Sequence, residues 1–228
     1  MKKTILITGS RGFIGSNLKS KLLAKGYKIS ELSSNLEDHA AVAKEVRKIN
    51  PTYVIHLSAV TTPSYYFDHP VETMQTNLIA TVNLAEICRG IKEFKQFVFP
   101  SSVAVYAPMT GSKLNEKSKL QPLSSHGIAK MGCEYYLQYL NKIYGFPYTV
   151  LRLPNIYGRE NNSKYFIEKT ISLMFKGKSI KLGNPNAVRD WLYIEDALDA
   201  FIRVLGNERA IGQTFLIGTG KGHSTKDV

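Results

Sequence analysis

The sequence predicts an α/β fold, a doubly wound parallel sheet with a small, incomplete C-terminal lobe, and three observations predict it. Thr4 to Thr8 is an unbroken, β-branched apolar run, the pattern of a parallel strand buried on both faces. The run stops at a glycine triplet, Gly9, Gly12 and Gly15, and passes into a helical pattern of Leu18, Leu22 and Leu23. Strand-like runs and helical spacings then alternate as far as residue 153, the order from which crossover-connected parallel sheets are built.

The glycines have separate jobs: Gly9 turns the chain, Gly12 lets backbone approach a pyrophosphate, and Gly15 brings helix close to strand. The helix that follows points its free N–H groups and positive dipole end at that anion. Thr8-Gly9-x-x-Gly12-Phe13-Ile14-Gly15 resembles the extended short-chain dehydrogenase/reductases, the group of nucleotide-sugar epimerases, dehydratases and 4-ketoreductases. The resemblance implies a Rossmann-type, NAD(P)-binding domain over residues 1–153 and a partial substrate-binding lobe over 154–228, interleaved with the last Rossmann elements. It implies cofactor contacts from Gly9, Arg11, Gly12, Phe13, Ile14 and Gly15.

Gly26 to Leu32 reads as the second strand, ending at Ser33 and Ser34. An acidic residue near this position selects NAD by binding the adenosine ribose. Serine stands there in this chain, and Arg11 lies in the glycine loop close by. The sequence therefore favours NADP(H), with Arg11 facing the 2′-phosphate; a solvated Arg11 and NAD is the alternative. Asn35 to Asp38 is similar to the family's adenine-contacting turn, which adds Ser33, Ser34, Asn35 and Leu36 to the cofactor site. Ala41 to Ile49 has helical spacing and is ended by Asn50-Pro51. Tyr53 to Val60 is the next strand and runs into a small-residue loop, which by the resemblance places Leu57, Ser58 and Ala59 over the phosphates and ribose. His56 reads as a packed core histidine. Val71 to Arg89 reads as one long helix; Asn77 stands where the family has an active-site asparagine, or else bonds a neighbouring backbone carbonyl.

Phe97 to Phe99 starts a strand that leads into Ser101-Ser102-x-x-Val105-Tyr106, similar to the family's Ser-Ser-x-x-Val-Tyr segment. By that likeness Ser102 is the catalytic hydroxyl and Ser101 a substrate contact. Dehydratases of the family carry an Asp-Glu pair next; Val103-Ala104 has no proton-transferring group, which argues against dehydration. After a lysine-rich loop over 111–122, the family's Tyr-x-x-x-Lys becomes His126-x-x-x-Lys130. One helical turn aligns those two side chains. Lys130 is expected to hold the nicotinamide ribose. Three readings stand for the departure: His126 is the acid/base, Tyr106 or a water substitutes, or the site binds ligands and turns over poorly.

Gly132 to Tyr144 reads as an amphipathic helix and Thr149 to Leu153 as a core strand. The resemblance puts Pro154 near the nicotinamide and Asn155 on the substrate, unless Asn155 is only a turn-former. Phe166 to Phe175 reads as a helix and 177–182 as a strand. The stretch 183–197 is similar to the family's Gly-x-Gly-x-x-x-Arg-Asp-Phe segment, which implies that Arg189 binds the substrate diphosphate, Asp190 bonds backbone, and Glu195 and Asp196 cap the next helix. Gln213 to Gly220 reads as a strand, and Ser224 to Val228 as a helix just beginning. Family members continue further, so the lobe is expected to be incomplete.

The chain has 228 residues, 43% of them hydrophobic and 21% charged, ordinary globular values, and a net charge of +12 that points to an anionic partner. No basic stripe with interleaved aromatics or zinc-finger spacing marks a nucleic-acid binder. No apolar stretch approaches the roughly 20 residues of a membrane helix, and no signal peptide is apparent, so a cytoplasmic protein is expected. Cys88 and Cys133 read as free buried thiols. No metal site is expected. The expected partners are a nucleotide-diphosphate sugar, acting with NADP or NAD, and a second copy of the chain through the helices at 71–89 and 132–144, which resemble the family's dimer bundle.

Overall fold

A computed structural model describes residues 3–108, 113–159, 165–180 and 183–228. The main sheet consists of β1 (Thr4–Thr8), β2 (Lys28–Ser30), β3 (Tyr53–His56), β4 (Gln96–Ser102), β5 (Tyr148–Leu153) and β8 (Gln213–Leu216), in the order β2-β1-β3-β4-β5-β8. All its pairings are parallel. A smaller sheet joins β6 (Asn155–Tyr157), β7 (Val188–Tyr193) and β9 (Gly222–Ser224). The helices are α1 (Phe13–Ala24), α2 (His39–Ile49), α3 (Pro63–Asp68), α4 (Pro70–Met74), α5 (Ala80–Arg89), α6 (Ser125–Tyr144), α7 (Phe166–Phe175) and α8 (Ile194–Val204).

Successive strand residues point to opposite faces, and each face of the sheet has its own core. Leu6, Val54, Phe97, Phe99 and Val150 pack with Val46 of α2, Leu84 of α5 and Leu137 of α6. Ile5, Ile7, Ile55, Val98 and Leu151 pack with Leu18 and Leu22 of α1 and Phe201 of α8. The apolar runs read from the sequence are continuous because both faces are covered. Cys88 and Cys133 are buried and free, as expected.

The strand order reverses between β1 and β3, which opens a crevice at their carboxyl ends, where ligands collect in such sheets. Gly9 turns there at φ +66°, and a Cβ on Gly15 would stand 2.2 Å from the Gly9 carbonyl oxygen. Only glycine lets α1 start this close to the loop.

Several elements differ from expectation. The helix over 71–89 is interrupted by a π-turn at Gln75–Ile79, centred on buried Asn77. The helix expected from Gly132 begins at Ser125, capped by Ser124, whose side chain accepts from the Gly127 N–H. Residues 178–180 form no strand, and 181 and 182 lie outside the described residues. The 213–220 strand ends at Leu216. At the other end, Gly222–Ser224 pairs antiparallel with β7, so the expected helix is replaced by a strand and turn. Glu195 and Asp196 lie in the first turn of α8 without a capping bond; Glu195 pairs instead with Lys21 of α1. Asp190 does bond backbone, accepting from Thr219 and Gly220 N–H groups. No helix among the described residues is long and apolar enough to cross a membrane, and they contain no metal-ligating cluster.

Candidate active site

One cleft of about 1530 Å³ runs from the start of α1 across the ends of β3, β4 and β5 to the small sheet. Pockets for one small molecule span roughly 300–1,000 Å³, so this one has room for two. Gly9, Gly12, Phe13, Ile14 and Gly15 form one end. Leu57, Ala59, Ser101, Ser102, His126, Lys130 and Pro154 lie along its middle, and Asn155 and Arg189 at the lobe. No side chain caps α1 and its first turn holds no acidic residue, so its N–H groups are free for an anion. Two buried polar atoms lack a partner among the described residues, the Ser101 hydroxyl and the Trp191 indole N–H, and both residues line the cleft. A bound dinucleotide and substrate fit this arrangement.

Ser102 ends β4, and its oxygen accepts the Ala104 N–H at 3.1 Å, which fixes the hydroxyl at the strand's mouth. A Cβ on Gly127 would meet the Ala104 carbonyl at 2.4 Å; glycine there lets the first turn of α6 press against this segment. His126 sits in that first turn and Lys130 one turn later. The His126 Nδ1 lies 3.0 Å from the Val60 carbonyl oxygen and 3.4 Å from the Asn77 amide nitrogen; the shorter contact, to an atom that only accepts, assigns the proton to Nδ1. Nε2 is left with a lone pair. Burial first, then the Lys130 ammonium, pushes the ring down to about 4. Tyr66 stacks on it at 5.3 Å. Lys130 donates to the Pro100 carbonyl oxygen at 2.7 Å and packs over Phe99; its own burial brings it down to about 8.

Asn77 does not line the cleft. Its side chain accepts from Val60 N–H at 2.7 Å and donates to the Val60 carbonyl at 2.9 Å, the backbone-bonding alternative read from the sequence, so it holds the loop on which His126 leans. The π-turn is what aims it there. His56 is a core residue as expected. Ser58 N–H donates to Thr8 Oγ1, Thr8 bonds the His56 Nδ1 at 2.6 Å, and Nε2 bonds Thr81, whose hydroxyl donates to the Asn77 carbonyl. Burial pushes His56 down to about 3. Tyr106 lines the same cleft; it is 5% exposed, and its oxygen accepts from Arg152, which is itself paired with buried Glu134.

Arg11, Ser33, Ser34, Asn35, Leu36 and Ser58 also lie off the cleft. Ser33 and Ser34 are committed to Glu45. Asn35 closes its own turn with Glu37, and Leu36 packs on the core. Sequence reasoning missed Tyr66, Glu45 and Arg159, whose guanidinium packs over Phe13 at 4.1 Å and joins the lobe to the glycine loop. None of these three carries a spacing signal.

The model of the NAD dependent epimerase/dehydratase family matches residues 5–218. The chain belongs to this family. A protein of Methanocaldococcus jannaschii described as a candidate UDP-glucose 4-epimerase is 31% identical over 250 residues, covering 98% of this chain and 79% of its own. The crystal structure of Thermotoga maritima UDP-glucose 4-epimerase with UDP-glucose matches with a TM-score of 0.91 and 27% identity, covering 98% of this chain and 79% of that one. The Thermus thermophilus UDP-glucose 4-epimerase complex with NAD matches with a TM-score of 0.87 and 26% identity, over 98% and 80%. The expected resemblance to sugar-nucleotide short-chain enzymes and the α/β fold are borne out.

Proposed function

We propose that this enzyme acts on the C4 of a nucleotide-diphosphate sugar by hydride transfer, as an NAD(P)-dependent 4-epimerase or 4-ketoreductase, and that epimerisation is the favoured reaction. The carrying observation is that Ser102, His126 and Lys130 meet in one cleft that begins at the uncapped start of α1. A nicotinamide dinucleotide bound there supplies the hydride acceptor. Ser102 holds the sugar oxygen, and Nε2 of neutral His126 takes the hydroxyl proton. Lys130, charged below about 8, holds the ribose. Asn155 and Arg189 stand on neighbouring strands of the small sheet, where they hold the diphosphate and sugar. Guanidinium suits that role through paired donors. The absence of an acidic pair after Ser102 weighs against dehydration.

The charge of His126 supports epimerisation over ketoreduction. A ring held near 4 is protonated in only about one molecule in a thousand at pH 7. A ketoreductase needs that protonated form at the outset. An epimerase begins with the neutral ring and gives back the proton it has just taken. The same scarcity supports a second reading, a dinucleotide-binding protein of this fold with impaired turnover. Exposed Tyr135, Tyr139 and Ile143 on α6 support a homodimer face.

Incubation with NAD and UDP-glucose, followed by proton NMR of the sugar, tests the proposal. Inversion at C4 that is lost in Ser102→Ala is expected. If His126→Tyr raises turnover by orders of magnitude above a near-inactive wild type, the impaired reading replaces it.

A further inference from the structure

Trp191 is the chain's only tryptophan, and it follows Arg189-Asp190 where the family segment it resembles has phenylalanine. Its indole N–H is buried and meets no acceptor among the described residues. A buried tryptophan N–H ordinarily finds a partner, and leaving it unmet is destabilising. A phenyl ring here would carry no such penalty. The donor therefore calls for an acceptor that arrives with a ligand.

The small sheet indicates which acceptor. Asn155 of β6 pairs in register with Trp191 of β7, so the two side chains share a face. Arg189 lies two residues earlier on β7, on that same face. All three residues line the cleft. An amide, a guanidinium and an indole N–H on one face make a donor set with a positive charge, which suits a phosphate. The carboxylate between them, Asp190, is taken up by the Thr219 and Gly220 N–H groups. Phe166 of α7 stacks on the indole at 5.6 Å. No residue of α7 is buried, so that ring is free to give way to an incoming oxygen.

We propose that Trp191 is a substrate-binding residue whose indole N–H takes an oxygen of the diphosphate, beside Asn155 and Arg189. This rests on the reading of the cleft as a site for a nucleotide-diphosphate sugar. It adds to that site a donor that phenylalanine cannot supply.

Because the chain has one tryptophan, its indole gives a single side-chain N–H resonance. Addition of UDP or UDP-glucose to the NAD-loaded, nitrogen-15-labelled protein should move that resonance downfield. By calorimetry, Trp191→Phe, which keeps an aromatic ring against Phe166, should bind both UDP and UDP-glucose roughly ten- to a hundredfold more weakly, the loss of a hydrogen bond to a charged group. Its thermal melt and its uptake of NAD+ should match the wild type. An indole resonance that stays in place as UDP binds overturns the proposal, and this readout needs no variant to fold. Equal affinity of the folded variant and the wild type for UDP overturns it as well. So does a loss confined to UDP-glucose, which would move the acceptor to the sugar, or a matching loss for NAD+, which would mark a structural role. A wild type that takes up neither UDP nor UDP-glucose overturns it together with the reading of the cleft, which tells the two failures apart.

Discussion

Replacing His126 by asparagine should remove a specific part of the acid sensitivity of this protein. An unfolded histidine titrates near 6.5, whereas folded His126 is held near 4 by burial and by Lys130. Between those values the unfolded chain binds more protons than the folded one, so stability rises with pH. The contribution from keeping His126 neutral is fully present above pH 6.5 and is lost as pH falls towards 4. The depression converts to about 3 kcal/mol at 1.36 kcal/mol per pKa unit. His56 acts in the same direction, from 6.5 down to about 3. The difference between wild type and His126→Asn cancels that second contribution. Urea unfolding of both proteins at pH 7 and pH 4 should show the wild type losing about 3 kcal/mol more. Imidazole NMR should place His126 near 4, and Lys130→Met should raise it. Equal losses in the two proteins, or a His126 that titrates at 6.5, would refute the account of a buried neutral ring beside an ammonium.

Other perturbations follow from the same geometry. Gly15→Ala puts a methyl group 2.2 Å from a backbone carbonyl. It should cost about 1–3 kcal/mol, seen as a lower melting temperature, and weaken NAD+ uptake at least tenfold by calorimetry. Glu134→Gln strands the buried Arg152 guanidinium and should cost about 3–5 kcal/mol in urea unfolding, whereas Glu134→Leu combined with Arg152→Met should cost far less. Tyr66→Phe keeps the ring stacked on His126 and should leave its titration in place, while Tyr66→Ala admits water and should raise it by NMR.

Much of the sheet was legible because strands covered on both faces need continuous apolar runs, and Ile5 to Ile7, Tyr53 to Ile55 and Phe97 to Phe99 have them. The glycine triplet was legible because its spacing is set by contacts within a single turn, such as Gly15 against Gly9. Residues that act across distant segments left no such trace. Asn77 could be read either as an active-site asparagine or as bonding a backbone carbonyl, and only the fold shows it bonded to Val60 from within a π-turn. Glu45 carries no signal in the sequence, and only the fold brings it to Ser33 and Ser34. Tyr66 lies on a six-residue helix too short for periodicity to mark a face. Of the strand expected at 177–182, residues 178–180 form none, and 181 and 182 lie outside the described residues.

The proposed epimerisation requires a hydride to leave and return at one carbon. A UDP-hexose carrying deuterium at C4, incubated with the NAD-loaded protein in ordinary water, tests this most directly. Epimer that keeps its deuterium, formed more slowly than from the unlabelled sugar, is the predicted result. Epimer in which solvent hydrogen has replaced the label would contradict it.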